Sequence, residues 1–542
     1  EYNYVPKTNA FTPLGYYRSG REQATKTNLQ LLVNYNERFF GDKLGLNMMV
    51  GANQEKNNYS STTANGTEWV VPDFYSVSNL VNRDLANVSS LSLAGVAPDG
   101  TNSVFSEANL DYDNTFYLSV TGRNDWFSVL NPGFNSIFYP SVGGSVIVSE
   151  LVKMPKFIDF AKVRSSWAQV GSATVNAGSI NQTYVISTIN AYGLPTLSNP
   201  SALPNPNIRP ITATTIEGGF ELRMLERRLG LDVNYYSRKT KNDILFPPIS
   251  LATGYTAGPQ NLGLVSNNGV EISLSGTPIA KSKFTWEIGY NFSHNQSKIL
   301  ELAEGIDVLV LGSGIGGPQI INAVGLPYST VRANVMKRNT AGTLVYNKAT
   351  GYEDRELRDI GVGNPPFLMG LNNTFTYGRF SLTLDIDSKF GAVGYSNLMQ
   401  YATRFGLTPL TLPGRDGGLT VSGVDQTGAP YTKVWNVVDL DTYYNNFGSA
   451  YPGQFVYKTD FVKLRRMVVR YNVPASMVKL VKAQSATIAL TGMNLAILYR
   501  DKKIREAGLD PEMQETVGNA QGSQGVAMPK TRNIGIAVNI KF

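Results

Sequence analysis

Few residues of this chain are of the types that do covalent chemistry, and their spacing limits what they could do. Cysteine is absent and histidine occurs once, at His294, so a thiolate nucleophile or thiolate metal site is excluded. Any His-dependent triad would have to be built on that one residue, and no Ser/Asp arrangement in the sequence supports one. Gly312-Ser-Gly-Ile-Gly-Gly317 has the glycines of a phosphate loop. It lacks the following Lys-Ser/Thr and any strand-loop-helix context, and reads as a surface loop. Asp439 with Asp441, and Glu353 with Asp354 and Glu356, are oxygen ligands of the kind that suits Ca²⁺; solvated loop charge is the simpler reading. The pattern implies no enzyme, no cofactor and no metal centre.

Non-covalent recognition has better candidates. Between positions 392 and 458 lie Tyr443, Tyr444, Phe447, Tyr451, Phe455 and Tyr457, among Asn, Gly and Gln. Amphipathic rings beside amides suit stacking on sugars or clasping a peptide backbone. The same rings also suit packing a long loop on itself or on a partner, and the sequence leaves both readings open. Long loops on a rigid scaffold are where such function concentrates.

The elements that must hold this loop are strands. In Asn533–Phe542, Ile534, Ile536, Val538, Ile540 and Phe542 alternate with Asn533, Gly535, Ala537, Asn539 and Lys541. Side chains of a strand point alternately to opposite faces, so one face is greasy and the other polar or small. An alternating strand ending on an aromatic is the usual last strand of an outer-membrane barrel, which makes Phe542 a candidate barrel-assembly signal. Composition agrees. Charged residues make up 16% of the 542 residues, below the quarter or so of a typical soluble domain. The net charge of +7 is mild and unclustered, which argues against a nucleic-acid partner. Nothing approaches the roughly 20 apolar residues of a membrane helix; Val308-Leu-Val-Leu311 is among the longest aliphatic runs. A closed barrel is then the remaining way to cross lipid with every backbone group paired.

Period-two reading predicts about fifteen strands, near 25–38, 44–57, 101–111, 115–125, 135–149, 160–171, 214–224, 229–241, 266–277, 284–296, 367–376, 379–391, 459–472, 485–498 and 533–542. Phe284, Trp286, Ile288, Tyr290 and Phe292 oppose Thr285, Glu287, Gly289, Asn291 and Ser293. Likewise Phe380, Leu382, Leu384 and Ile386 oppose Ser381, Thr383, Asp385 and Asp387. Connections near 39–43, 112–114, 225–228, 278–283 and 377–378 are tight. Between them come long ones, near 58–100, 172–213, 242–265, 297–366, 392–458 and 499–532. Short periplasmic turns alternating with long extracellular loops are expected of a transmembrane antiparallel β-barrel. Counting back from a periplasmic Phe542 places residues 1–24 in an outer loop and starts the chain mid-barrel. Glu1 follows no leader, so a processed or partial product is expected, its first strand pairing with a strand of a separate or nicked preceding half.

Several stretches resemble the SusC/RagA family of TonB-dependent outer-membrane transporters of Bacteroidota. They are Tyr112-Asp-Asn-Thr115 running into Arg123-Asn-Asp125, Phe138-Tyr-Pro-Ser-Val-Gly143 and Ala161-Lys-Val-Arg164 through Gly171. Glu217, Asp232, Tyr235-Tyr236, Asn267-Asn-Gly269 and Gly363-Asn-Pro-Pro366 continue the order. Phe461-Val-Lys-Leu-Arg465, Asn472-Val-Pro474, Asn494-Leu495, Asp510-Pro-Glu512 and Pro529-Lys-Thr-Arg532 complete it. Ala168 stands where glycine is usual, and residues 1–111 match only in strand pattern. The resemblance implies that residues 1–542 are the C-terminal part of one barrel domain of roughly 22 strands. It places the plug and first strands outside this chain. It also implies import of glycan or peptide fragments with a SusD-like surface lipoprotein, energised by TonB-ExbB-ExbD through the missing half, in a lipid-embedded outer-membrane barrel. The alternative it leaves open is a non-transporting scaffold in an assembly or secretion machine.

Overall fold

The computed structural model describes residues 2–5, 16–71, 74–83, 99–173, 175, 179–187, 196–247, 249–303, 305–313, 317–480, 482–512, 520–524 and 530–542. Every one of the fifteen expected segments falls on a strand, and these strands belong to one 17-stranded sheet. The two further members, Tyr2–Val5 and Leu80–Arg83, are short. Each lengthens a hairpin already in the sheet, pairing with Tyr16–Phe39 and Leu44–Trp69 respectively.

Tight turns form where the sequence tolerates a left-handed backbone. At Asp113 (φ 51°) and Asn114 (φ 50°) both central turn residues have positive φ, as a two-residue hairpin demands, and Asx side chains tolerate it best. Thr115 N–H closes the turn on the Tyr112 carbonyl at 3.0 Å. Gly378 (φ 57°) does the same work between Phe367–Tyr377 and Phe380–Phe390.

By compactness the chain divides into two units. The first comprises residues 1–145, 166–215 and 240–262. Its dominant feature is the hairpin of Tyr16–Phe39 with Leu44–Trp69, paired without a register break over its whole length. Strands of 24 and 26 residues are more than twice the roughly 9–11 needed to cross a bilayer. The expected loop at 58–100 is corrected here, since positions 58–69 continue as strand. Gln54, Glu55, Lys56, Asn57 and Asn58 show no apolar alternation, yet each stays paired across the hairpin. Backbone pairing persists where the hydrophobic period has ended. Tyr17, Trp69 and Leu80 pack into a small core at the far end.

The second unit comprises residues 146–165, 216–239 and 263–542. Gln260–Ala280, Phe284–Glu301, Phe367–Tyr377, Phe380–Phe390, Phe461–Asn472, Ser485–Arg500 and Asn533–Lys541 pair in succession, all antiparallel. Here too the connections read as loops prove folded. Val308–Ser313, Gln319–Ala323, Thr330–Met336 and Arg355–Val362 make a four-stranded sheet. Leu419–Asp425 and Pro430–Trp435 pair, with Val345–Tyr346 beside them in parallel. Helices Asn397–Arg404 and Leu440–Ala450 complete the second loop. Their signal is weak in sequence because these short elements bury apolar residues in runs. Gln319-Ile-Ile-Asn-Ala323 shows no alternation, yet its last four residues are buried.

Candidate functional site

The matched stretches turn out to be halves of polar contacts. Lys463 and Arg465 stand two apart on one strand, and Asp510 and Glu512 two apart in the following loop. Lys463 Nζ lies 2.6 Å from Asp510 Oδ1 and 2.7 Å from Glu512 Oε2. Arg465 grips Glu512 with both terminal nitrogens, Nη1 to Oε2 at 2.9 Å and Nη2 to Oε1 at 2.8 Å. Its Nη2 also donates to Asp387 Oδ2 at 2.6 Å, and Nη1 to Asn494 Oδ1 at 3.0 Å. Asn494 Nδ2 in turn donates to the Thr531 carbonyl. Five stretches of the chain therefore meet in one cluster that pins residues 510–512 to the sheet.

Local backbone irregularity makes this possible. Asp385 pairs with Arg466 and Ile386 with Leu464, leaving Arg465 as an extra residue in a bulge. A bulge re-aims side chains, so consecutive arginines reach acids two apart on one face, Arg465 to Asp387 and Arg466 Nε to Asp385 Oδ2 at 2.5 Å. Lys463 is 5% exposed, and burying a cation is tolerable only with such pairing. Burial alone pushes the Glu512 carboxyl up, but hydrogen bonds from Arg465 and Lys463 overcome it and hold it at about 2.

A second cluster joins Arg164 to Asp232 through a double hydrogen bond at 2.8 and 2.6 Å. It opens onto a cavity of about 600 Å³ on the polar side of the sheet. Register explains the lining. Glu271 pairs with Ser293, Ser293 with Leu368 and Leu368 with Lys389. The next row on that face runs Ser273, Asn291, Gly370 and Asp387. Four carboxylates (Glu217, Asp232, Glu271, Asp387) and two cations (Arg164, Lys389) line it, so the wall is polar and net acidic. In the first unit, Arg123 Nε donates to Asp125 Oδ1 at 2.7 Å and to Tyr139 Oη at 2.9 Å, while Tyr139 Oη also donates to Asp125.

The six aromatic candidates occupy the interior of the outer loops. Tyr443 and Tyr444 pack with Tyr346, Trp435 and Leu440. Phe455 (0% exposed) and Tyr457 join Tyr395, Ile504 and Leu509, with Phe447 against them. Phe447 links the two groups, its ring 6.5 Å from Tyr443 and 6.4 Å from Phe455, with Tyr451 at 5.7 Å. Their hydroxyls are spent internally. Tyr443 Oη donates to Glu353 Oε1 at 2.8 Å, Tyr451 Oη to the Glu353 carbonyl and Tyr444 Oη to the Pro413 carbonyl at 2.8 Å. Burial and the Glu353 carboxylate push the Tyr443 phenol up strongly, and burial raises Tyr457 to about 12. These rings hold the 392–458 loop and the 501–512 segment together; a ligand would meet the surface they support.

The remaining candidates have structural partners. His294 stacks on Phe367 at 4.3 Å, with Nδ1 3.3 Å from the Pro366 carbonyl. Asp354 faces Lys337, Glu356 pairs with Arg358, and Asp441 Oδ1 accepts from Thr442 N–H. Among the described residues no group of three or more His, Cys, Asp or Glu could hold a metal ion. Gly312 and Ser313 pair with Ile320 and Gln319, while 314–316 of the glycine run lie outside the described residues. Phe542, the candidate assembly signal, is exposed just past its strand.

Comparison with known proteins places this geometry. A family model described as "TonB dependent receptor-like, beta-barrel" matches residues 1–451. TonB-dependent receptor P3 of Formosa agariphila is 24% identical over 81% of this chain and 45% of its own length. TonB-dependent receptor SusC of Bacteroides thetaiotaomicron is 32% identical over 111 residues, 20% of this chain and 11% of its own. The RagAB peptide transporter structure superposes with a TM-score of 0.72 at 18% identity, covering 98% of this chain and 57% of that one. The chain thus spans about half the length of the curated relatives P3, P26 and P39. The resemblance carried by its motifs is met by similarity to both SusC and RagAB, and among the described residues no helix is long and apolar enough to cross a membrane. The chain belongs to the TonB-dependent receptor-like β-barrel family, as a SusC/RagA-like member with a transmembrane antiparallel fold.

Proposed function

We propose that this chain contributes the C-terminal part of the barrel of an outer-membrane importer of oligomeric nutrients, glycan or peptide fragments. On this reading the plug and first strands belong to the remainder of the protein, through which TonB-ExbB-ExbD supplies energy. A SusD-like lipoprotein covers the outer loops, in a Bacteroidota-like outer membrane. The observation that carries the reading is the pair of structured loops with their own aromatic cores, joined to a sheet whose polar face is lined by charge. Loops built this way present a fixed surface to a ligand or a lid. RagAB, similar in fold, is by name a peptide transporter.

The test is uptake. Cells carrying the full-length gene should accumulate a labelled oligomeric substrate in a TonB-dependent manner, and a lipoprotein should co-purify with the barrel. Uptake indifferent to deletion of both the gene and TonB would reject import and favour the scaffold role.

A further inference from the structure

The 392–458 loop holds a cavity of about 750 Å³ distinct from the sheet wall, between the end of the Asn397–Arg404 helix and one face of Leu440–Ala450. Tyr443, Tyr444 and Gly448 turn inward from the second helix. Thr442, Asn445, Asn446 and Ser449, at helical spacing on its other face, line the cavity as a stripe of hydroxyls and amides. Phe405, 65% exposed, stands at its edge.

Two guanidinium groups set its charge. Arg415 is held by neutral acceptors: Nε donates to the Thr411 carbonyl at 2.8 Å, and Nη2 to the Gly406 carbonyl and Thr411 Oγ1. Its position is fixed while its charge is left to solvent, the residue being exposed. Arg404 lies over the Tyr401 ring at 5.2 Å, and its Nε is buried with no hydrogen-bond partner. Gly448 faces the Arg404 stem and leaves no room for a Cβ there. Among the described residues neither arginine has a carboxylate within ion-pair distance. One carboxylate lines the cavity, Asp441, in the first turn of its own helix, its Oδ1 accepting from Thr442 N–H at 2.6 Å. A buried unpartnered donor is costly, and a planar cationic fork is the best match for a carboxylate.

We propose that this cavity binds the carboxylate of an acidic saccharide, a uronate-bearing oligomer, on Arg404 and Arg415. Thr442, Asn445, Asn446 and Ser449 take its hydroxyls and Phe405 a sugar face. A saccharide rather than a peptide fits because the lining, helix and turn residues, offers no open strand edge for a peptide backbone, whereas two amides flanked by two hydroxyls suit vicinal diols. The proposal rests on the import reading, whose substrate class it narrows.

Binding to the purified full-length protein decides it, by calorimetry with trigalacturonate, neutral galactotriose and triglutamate. Trigalacturonate should bind at least tenfold tighter than galactotriose and weaken with salt. Arg404→Gln and Arg415→Gln should each lose about tenfold for the acid and little for the neutral sugar. Arg404→Lys should retain part of the preference, and heat-modifiable gel mobility controls for barrel assembly. No acid binding at millimolar concentration, equal affinity for acid and neutral sugar, or indifference to both substitutions in assembled protein would overturn it. Preference for triglutamate would replace the saccharide with a peptide. Binding as expected without TonB-dependent uptake would sink the import reading and leave the site. Uptake without acid preference would do the reverse.

Discussion

At the scale of residues, the buried Lys463-Arg465-Asp510-Glu512 cluster governs how one outer loop is fastened. The Glu512 carboxyl sits at about 2 against an ordinary 4.5. A carboxyl depressed on folding contributes stability that is complete above the unfolded value and is lost as pH falls through the folded one. Protection of the 501–512 segment should therefore hold above about pH 4.5 and fade between there and about pH 2. Limited proteolysis at stepped pH would read this, and Glu512→Gln should be cut at pH 7 with little further change on acidification. Lys463→Met leaves two buried acids short of a cation, a loss of about 3–5 kcal/mol by analogy with broken buried pairs. Equal protease resistance of wild type and both variants would show that the cluster does not hold the loop. The aromatic rings test differently. Phe455→Ala should destabilise the loop by about 3–5 kcal/mol, as large buried rings do, with ligand affinity following stability rather than falling on its own.

At the scale of elements, strands were legible and loops were not, for one physical reason. A strand between lipid and a polar lumen must alternate, so Phe380–Phe390 declares itself in Leu382, Leu384 and Ile386 against Thr383, Asp385 and Asp387. Where lipid ends, the constraint ends, and the 58–69 stretch stays a strand without announcing it. Helix Leu440–Ala450 buries Leu440, Tyr443 and Tyr444 against Trp435 and Tyr346, the latter a partner that no local window contains. The cation and acid pairs of the C-terminal cluster were visible as motifs, but their meeting depends on the bulge at Arg465, which sequence period does not show. The facing assignment makes its own prediction. Leu384→Arg and Ile288→Arg place a cation on the apolar face at about 2–4 kcal/mol, while Thr383→Arg points to the polar face beside Thr374. Folded-barrel yield on heat-modifiable gels should drop for the first two and hold for the third. Equal yields for all three would reverse the assignment of faces.

At the scale of the whole molecule, the alternation of short and long connections fixes which ends of the strands face out. The long connections carry the folded loops, their aromatic cores and the arginine-lined cavity, whereas Asp113 and Gly378 sit in turns of a few residues. A bilayer lets a membrane-impermeant reagent reach one set only. Single cysteines can be introduced here without background from these 542 residues, which contain none. Gly417 and Gly428 are suitable outer sites, since a side chain there meets no neighbouring atom within 4 Å; the positive φ of Gly428 (91°) makes Gly417 the gentler of the two. On intact cells producing the full-length protein, a maleimide too polar to cross the membrane should label cysteines at Gly417 and Gly428. It should reach those at Asp113 and Gly378 only after lysis. The same reagent reports on a lid: if a lipoprotein covers the 392–458 loop, labelling at Gly417 and Gly428 should quicken when that partner is deleted. Labelling of all four positions alike on intact cells would defeat the topology, and with it the placement of the saccharide site on the outer surface.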